Sequence, residues 1–344
     1  MTVRVEHFAD AITDGSIHQA YNAFDNEMLH EEEPTFARRP VGDTAAMLAQ
    51  SPSHERRPRW LLMDGSVVIG AATLYLDDED AANLHLGWLD LGVLPGHRRR
   101  GLGTRLIGNV ARYARSVGRT TLMPHTNSFI PAGAHFMRHL AAEPGLVEGV
   151  NELQMADLDL KLMEEWAAAG RAQSDRFELL RVDGSWPDEM IDEVVALQYV
   201  MNDAPVGDLD FNDQVFTADH VIEWQEELAA RNISRFVFAI RDLPSGRLAG
   251  YTDLGINPSF RDLGQQGDTG VFKEFRGHGL GKWLKAEMVL RIAADHPEVT
   301  RIRTENAQSN AAMLGINHAM GFRLHHEQTI WQINVEELLA TLST

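Results

Sequence analysis

The sequence predicts two successive α/β domains built on one plan, each a mixed sheet flanked by helices. Three observations carry this. The chain has 344 residues, and a single domain usually holds roughly 100–200. Two stretches can be laid over each other at a constant spacing. Each stretch reads as strand, strand, glycine-rich turn, helix.

The first stretch runs DGSVVIGAATLYL, then WLDLGVLPGHRRRGLGTRLIGNVARYA. The second runs PSGRLAGYTDLGI, then GDTGVFKEFRGHGLGKWLKAEMVLRIA. Val93 and Val271, Arg98 and Arg276, Gly101 and Gly279, and Gly103 and Gly281 each lie 178 residues apart. Upstream, Gly70 and Gly250 match with a drift of two residues. So long a period excludes a solenoid array and indicates duplication of a whole domain.

Each copy opens on a turn, Asp64-Gly65 or Ser245-Gly246. An apolar run follows, Val67–Tyr75 or Leu248–Ile256, read as a strand. The second strand covers Trp88–Leu94 or Thr269–Phe272. After the glycines, Leu102, Leu106, Val110 and Ala114 repeat every four residues, as do Leu280, Leu284, Met288 and Ile292. That period marks a helix with one face on a core. Ser116-Val117-Gly118 and His296-Pro297 end these helices. Further helices are expected over Ser16–Leu29 and Pro187–Tyr199. The junction is placed in the small, polar run Ala167–Ser174. The domains are therefore drawn as 1–168 and 169–344.

Composition narrows the function classes. Apolar residues make up 44% of the chain, too many for a disordered protein. No run approaches the roughly 18–20 apolar residues of a membrane span. The N-terminus lacks an apolar leader, so a cytoplasmic protein is expected. With no cysteine, disulfides, thiolate metal sites and a cysteine nucleophile are excluded within this sequence. No metal site is expected. The net charge of −19 repels phosphate backbones and anionic membranes. Neither is an expected partner, whereas a cationic amine suits that field.

The motif with chemistry is Arg-x-x-Gly-x-Gly between a strand and a helix. It occurs as Arg98-Arg99-Arg100-Gly101-Leu102-Gly103 and as Arg276-Gly277-His278-Gly279-Leu280-Gly281. A helix N-terminus offers unpaired N–H groups and partial positive charge, which suits a pyrophosphate. Glycine lets an anion approach the backbone. A P-loop is excluded because Gly281-Lys282 is followed by Trp283. A dinucleotide fingerprint fails because its last glycine is Leu284.

Here the sequence resembles the acyl-CoA pyrophosphate loop of the GNAT superfamily of N-acetyltransferases. The resemblance covers both halves and is sharpest over Gly250–Trp331. There TENAQSNAAMLGINHAMGF is similar to the family's second CoA-side element. Overall the chain resembles a tandem GNAT protein of the actinobacterial type. The resemblance implies a mostly antiparallel sheet splayed between its fourth and fifth strands, with acetyl-CoA or another acyl-CoA as cosubstrate. Backbone at Val271 and Phe272 would then hold pantetheine or the thioester carbonyl. Arg276 and the N–H groups from Gly277 through His278, Gly279, Leu280 and Gly281 to Lys282 would hold pyrophosphate. Asn306 and Asn310 would bind on the CoA side. Val93, Arg98, Arg99, Arg100, Gly101 and Gly103 are the corresponding residues of the first copy.

The copies differ downstream. In PHTNSFIPAGAHFM, Asn127 matches Asn306, but the position of Asn310 falls near Pro131, which has no N–H. The second copy is therefore the expected catalytic one and the first a degenerate one. Acyl transfer to an amine needs a base, oxyanion stabilisation and a proton for the thiolate. Asp253 and Asp268 are the candidate bases, with solvated edge residues as the alternative. Many GNAT enzymes carry an acidic tyrosine four residues before the Gly-Phe glycine. Here that residue is Asn317, so water, another residue or direct thiolate departure must serve. Asp203, Asp208 and Asp210, in the stretch that roofs the acceptor site of a GNAT fold, are candidates to recognise an ammonium group. His325-His326-Glu327 lies in an expected strand whose neighbours face opposite ways, against metal binding.

The expected function is acetyl transfer from acetyl-CoA to the amine of a small molecule by a monomer or homodimer. A non-catalytic acyl-CoA-binding or sensing protein is the alternative. Protein acceptors are a further possibility.

Overall fold

A computed structural model describes residues 3–9, 11–50 and 53–343. The chain opens with β1 (Arg4–Phe8), α1 (Gly15–Glu32), α2 (Val41–Ala49), β2 (Glu55–Arg56), β3 (Arg59–Asp64), β4 (Val67–Asp77) and β5 (Leu86–Val93). Then come α3 (Leu102–Ser116), β6 (Thr121–Asn127), α4 (Pro131–His139), β7 (Glu143–Gln154), α5 (Leu160–Arg171), β8 (Phe177–Asp183) and α6 (Ile191–Gln198). The rest comprises α7 (Ala218–Ala230), β9 (Ser234–Asp242), β10 (Leu248–Ile256), β11 (Leu263–Val271), α8 (Leu280–Asp295), β12 (Arg301–Ala307), α9 (Ala311–Met320), β13 (Arg323–Asn334) and α10 (Val335–Thr341).

Two compact units form, and they are not continuous in sequence. The first holds residues 1–147, 206–215 and 328–344; the second holds 148–205 and 216–327. The boundary drawn from sequence, 168/169, falls inside α5, in the second unit.

In the first unit β1, β3, β4, β5 and β6 pair in that order, with β2 on β4. Beyond β6 stands the 328–334 part of β13, antiparallel. In the second unit β8, β9, β10, β11 and β12 pair in order, and beyond β12 stands the 148–154 part of β7. Each unit is thus closed by a strand from the opposite half of the sequence. Among the described residues one pair in each sheet is parallel, β5 with β6 and β11 with β12. Both sheets are therefore mixed and mostly antiparallel.

The duplication is visible in the register. Gly70 faces Val93 across β4 and β5, and Gly250 faces Val271 across β10 and β11. The helical stripes read from sequence are the buried faces. Leu106, Val110 and Ala114 of α3 join the first core, and Leu284, Met288 and Ile292 of α8 join the second. Burying each of these side chains larger than alanine stabilises by about 1.5–3 kcal/mol. On the opposite face of the second sheet, α6 and α7 bury Val194, Leu197 and Val221 against Val237, Ala239 and Tyr251.

Sequence reading shortens β11. Gln265, Gln266 and Gly267 lack an apolar pattern, yet the strand starts at Leu263. Pairing on both sides at Gly264 and Gln265 holds it extended.

Candidate functional site

Parallel pairing of β11 with β12 ends at Gln265 opposite Arg303. Both strands continue, to Val271 and Ala307, so they part. A cavity of about 950 Å³ opens there, lined by both strands, the glycine turn and the start of α9.

The glycine turn forms the upper rim. Gly277 (φ 85°) and Gly279 (φ 74°) adopt the left-handed conformation, and no atom lies within 4 Å of where a Cβ would stand. Gly279 is the N-cap of α8 and supplies no side-chain cap. In contrast, Asp14, Asp159, Thr217, Asn310 and Asn334 cap their helices with side chains. The first intrahelical bond of α8 runs from Trp283 N–H to the Gly279 carbonyl. The N–H groups of Leu280, Gly281 and Lys282 precede it in the first turn, at residues that line the cavity. Arg276 turns back: its Nε donates to the Val271 carbonyl at 2.9 Å and its Nη2 to Asp203 at 2.9 Å. Lys273 also reaches Asp203, at 2.6 Å. Both cations thus brace the turn.

Asn306 and Asn310 span a strand-to-helix junction and line the cavity. Asn310 caps α9 by accepting from Met313 N–H at 3.2 Å. Asn306 accepts from the side chain of fully buried Asn317 at 2.7 Å.

The two aspartates differ. A bulge interrupts the β10–β11 register between Thr252 and Leu254. Asp253, at the bulge, packs its carboxylate over Gly267, where a Cβ would meet it at 2.5 Å. It accepts from buried Arg235 at 3.1 Å and does not line the cavity. Asp268 does line it. Asp268 and Gln198 stand 2.7 and 2.6 Å from the Tyr251 hydroxyl. One hydroxyl proton cannot serve two acceptors. Either Gln198 presents its amide nitrogen or Asp268 carries a proton. Burial raises the pKa of both aspartates, against the pull of Arg235. At Asp268 the hydrogen bond from the Tyr251 hydroxyl opposes the rise ahead of Arg235.

Lys285, one turn below Gly281, also lines the cavity. Its nitrogen stands 5.4 Å from the centre of the Phe322 ring.

The acetyltransferase (GNAT) family model matches residues 21–135 and 202–322. Together these segments span well over half of the chain. The chain belongs to the GNAT acetyltransferase family. Among solved structures it is similar to a tandem GNAT protein from the clavulanic acid biosynthesis pathway, solved without AcCoA. That match has 23% identity and a TM-score of 0.77, covering 96% of this chain and 99% of the other. A GCN5-related N-acetyltransferase from Sphaerobacter thermophilus matches at 13% identity and a TM-score of 0.62, covering 96% of each chain. A glucosamine N-acetyltransferase region of a fungal multi-domain GH3 β-N-acetylglucosaminidase matches at 12% and 0.63, covering 96% of this chain and 38% of that one. No curated protein matches the sequence. This is therefore a tandem GNAT acetyltransferase, and its family as a rule uses acetyl-CoA.

The other GNAT unit repeats the turn with changes. Gly101 is again a left-handed N-cap (φ 74°) without a side-chain cap. Arg99 takes φ 62° where the second copy has Gly277. Arg98 donates to the Val93 carbonyl at 2.8 Å and forks onto Glu31. Arg100 bonds Gly96 O at 3.0 Å. Asn127 donates to Glu32 at 2.6 Å, and Pro131 starts α4. One carboxylate, Glu31, is therefore bonded at this turn, and another, Glu32, at the counterpart of Asn306. Strand pairing also runs further, to Leu89 opposite Pro124. Asp90, the counterpart of Asp268, bonds Tyr75 at 2.9 Å.

Several expected site residues do not face the cavity of the second unit. Phe272 packs into the core, and the His278 ring lies against Phe177, 5.5 Å between centres. Asp203 lines the cavity but is held by Lys273 and Arg276, which leaves it no surplus charge for an ammonium ion. Asp208 and Asp210 belong to the first unit. There Gln332 donates to Asp208 O at 2.9 Å, and the Asp210 carboxylate stands 3.3 Å from His85. His325 and His326 do not face apart: their Nδ1 atoms are 2.8 Å apart. Arg303 donates to His325 at 3.0 Å. Among the described residues no group of His, Asp and Glu is placed to hold a metal, and no helix is long and apolar enough to cross a membrane.

Sequence reading missed Lys285, Tyr251, Gln198, Arg235 and Asp90. A lysine inside an otherwise apolar helical stripe was the available signal for Lys285. The others need the strand register.

Proposed function

We propose that the second unit is the working site. It transfers an acetyl group from acetyl-CoA, or from another acyl-CoA, to the amine of a small molecule by direct attack. The supporting observation is one cavity that joins an uncapped helix N-terminus to a gap between parallel strands. Pyrophosphate would bind the N–H groups of Gly277–Lys282, and backbone near Val271 would hold the pantetheine arm as an added strand. Asn306 and Asn310 would frame the other side.

Asp268 is the base in this reading, directly or through a water. It faces the cavity and burial raises its pKa, the direction that favours a general base. Asp253 serves structure by neutralising Arg235. The net charge of −19 favours approach of a cationic acceptor. The first unit, with Glu31 on Arg98 of its turn and Glu32 on Asn127, is read as non-catalytic.

Thiol release from acetyl-CoA across a panel of small amines tests this. Amine-dependent release is expected. Tight acetyl-CoA binding without release to any amine would favour a binding or sensing role.

A further inference from the structure

A lysine that a fold does not need, set inside a cavity, calls for a reason. Lys285 is 1% exposed. No hydrogen bond or ion pair from its nitrogen is found among the described residues, and Phe322 offers only a ring face. Burying an unpaired ammonium costs several kcal/mol. The duplicate unit has Ile107 at the matching place, 178 residues earlier, and it is completely buried. The plan of the domain is therefore satisfied there by an apolar side chain.

Position indicates what the lysine does. Gly281 lies at the cradle, and Lys285 follows one turn later, about 6 Å along the helix. Helices α8 and α9 pack in ordinary contact here: a Cβ on Gly281 would meet Ile316 at 3.5 Å. Lys285 thus shares the cavity lining with Ile316, and its nitrogen stands over the Phe322 ring. A ligand with pyrophosphate on the first turn of α8 and its arm between β11 and β12 would occupy the same cavity that this lysine lines.

We propose that Lys285 is the group that protonates the departing thiolate, and so a catalytic residue of this site. The inference rests on the acetyl transfer proposed above. The acceptor nitrogen bonds to the thioester carbon and gives up a proton to its base. The C–S bond breaks, and the electron pair left on sulfur takes a proton from Lys285 Nζ. The neutral amine regains a proton from solvent, so one proton has in effect moved from acceptor to thiol.

The other charged groups around the cavity are placed for other work. Asp203 is paired with Lys273 and Arg276. Asp268 lies next to the Tyr251 hydroxyl. Lys282 stands over the Trp166 ring at 5.0 Å. Glu305 and Glu148 enter from β12 and β7 as carboxylates. Burial pushes Lys285 down to about 7, where an amine is both a competent donor and readily recharged.

The test needs no acceptor. CoA thiol is bound to wild type and to Lys285→Met, and the thiolate is titrated by its ultraviolet absorbance. Lys285→Ile, which copies the duplicate unit, is the second variant. Lys285 and the thiol would titrate as a coupled pair, the ammonium and the thiolate holding one proton between them, so thiolate absorbance should appear at lower pH in wild type than in either variant. With an amine that turns over, kcat should fall roughly a hundredfold in the variants. The high-pH limb set by the lysine should vanish. Equal thiol titrations in folded variants that bind CoA would overturn the role of Lys285 while leaving the CoA site intact. Failure of wild type to bind CoA would remove the reading beneath it.

Discussion

Asn317 donates its side-chain amide to Asn306 across 2.7 Å, tying the buried face of α9 to the strand that borders the cavity. The expected acid is absent at this position, but the residue there still acts on the site through its neighbour. Asn317→Ala should leave Asn306 free to rotate and cost about 1 kcal/mol of stability. KM for acetyl-CoA should rise more than kcat falls. Steady-state kinetics on the folded variant decide it; an unchanged KM would mean that the bond does not position Asn306.

Gly279 is left-handed, with open space beyond it. Asparagine tolerates that conformation better than most residues, so Gly279→Asn and Gly279→Asp differ mainly in charge. The aspartate should weaken acetyl-CoA binding by several kcal/mol relative to the asparagine, because it puts an anion where pyrophosphate is expected. Calorimetry measures this. Gly101→Asp, made in parallel, should leave turnover in place apart from losses through stability. Turnover that survives Gly279→Asp but not Gly101→Asp would reverse the choice of working unit.

The two aspartates should separate by pH. Asp268 must be ionised to act as a base, so kcat/KM should rise as pH climbs through its raised pKa. Asp268→Asn should lose that limb. Asp253→Asn keeps the limb but weakens the charge pairing of buried Arg235, which should cost a few kcal/mol of stability. Paired thermal melts and pH–rate profiles check both. A lost limb in Asp253→Asn, with Asp268→Asn unaffected, would exchange their roles.

Lys285 also predicts a stability difference with a definite sign. Its folded pKa, about 7, lies below its unfolded value of about 10.4. Below pH 7 both states are protonated and the folded state bears the full cost of the buried charge. Between these values the unfolded state binds more protons, so the cost falls as pH rises. Lys285→Met should therefore be more stable than wild type, most clearly at pH 6 and below. The gap should narrow toward pH 10. Denaturant melts at several pH values measure it, and a variant less stable at pH 6 would contradict an unpaired buried lysine.

Much of this protein was legible in the chain itself. Apolar spacing marked α3 and α8, because a helix must bury one stripe. Gly101 and Gly279 marked the turns, because few other residues take a positive φ at little cost. Constant spacing between the copies marked the duplication, and the registers Gly70–Val93 and Gly250–Val271 agree with it. The tertiary structure decided three other things. Residues 148–154 complete the sheet with β12 and residues 328–334 the sheet with β6, because strand pairing uses backbone groups that every residue carries. Asp208 and Asp210 went to the first unit, because a loop's partners are set by where its ends are held. Lys285 came to face a cavity because β11 and β12 separate after Gln265, and no local pattern specifies where two distant strands stop pairing.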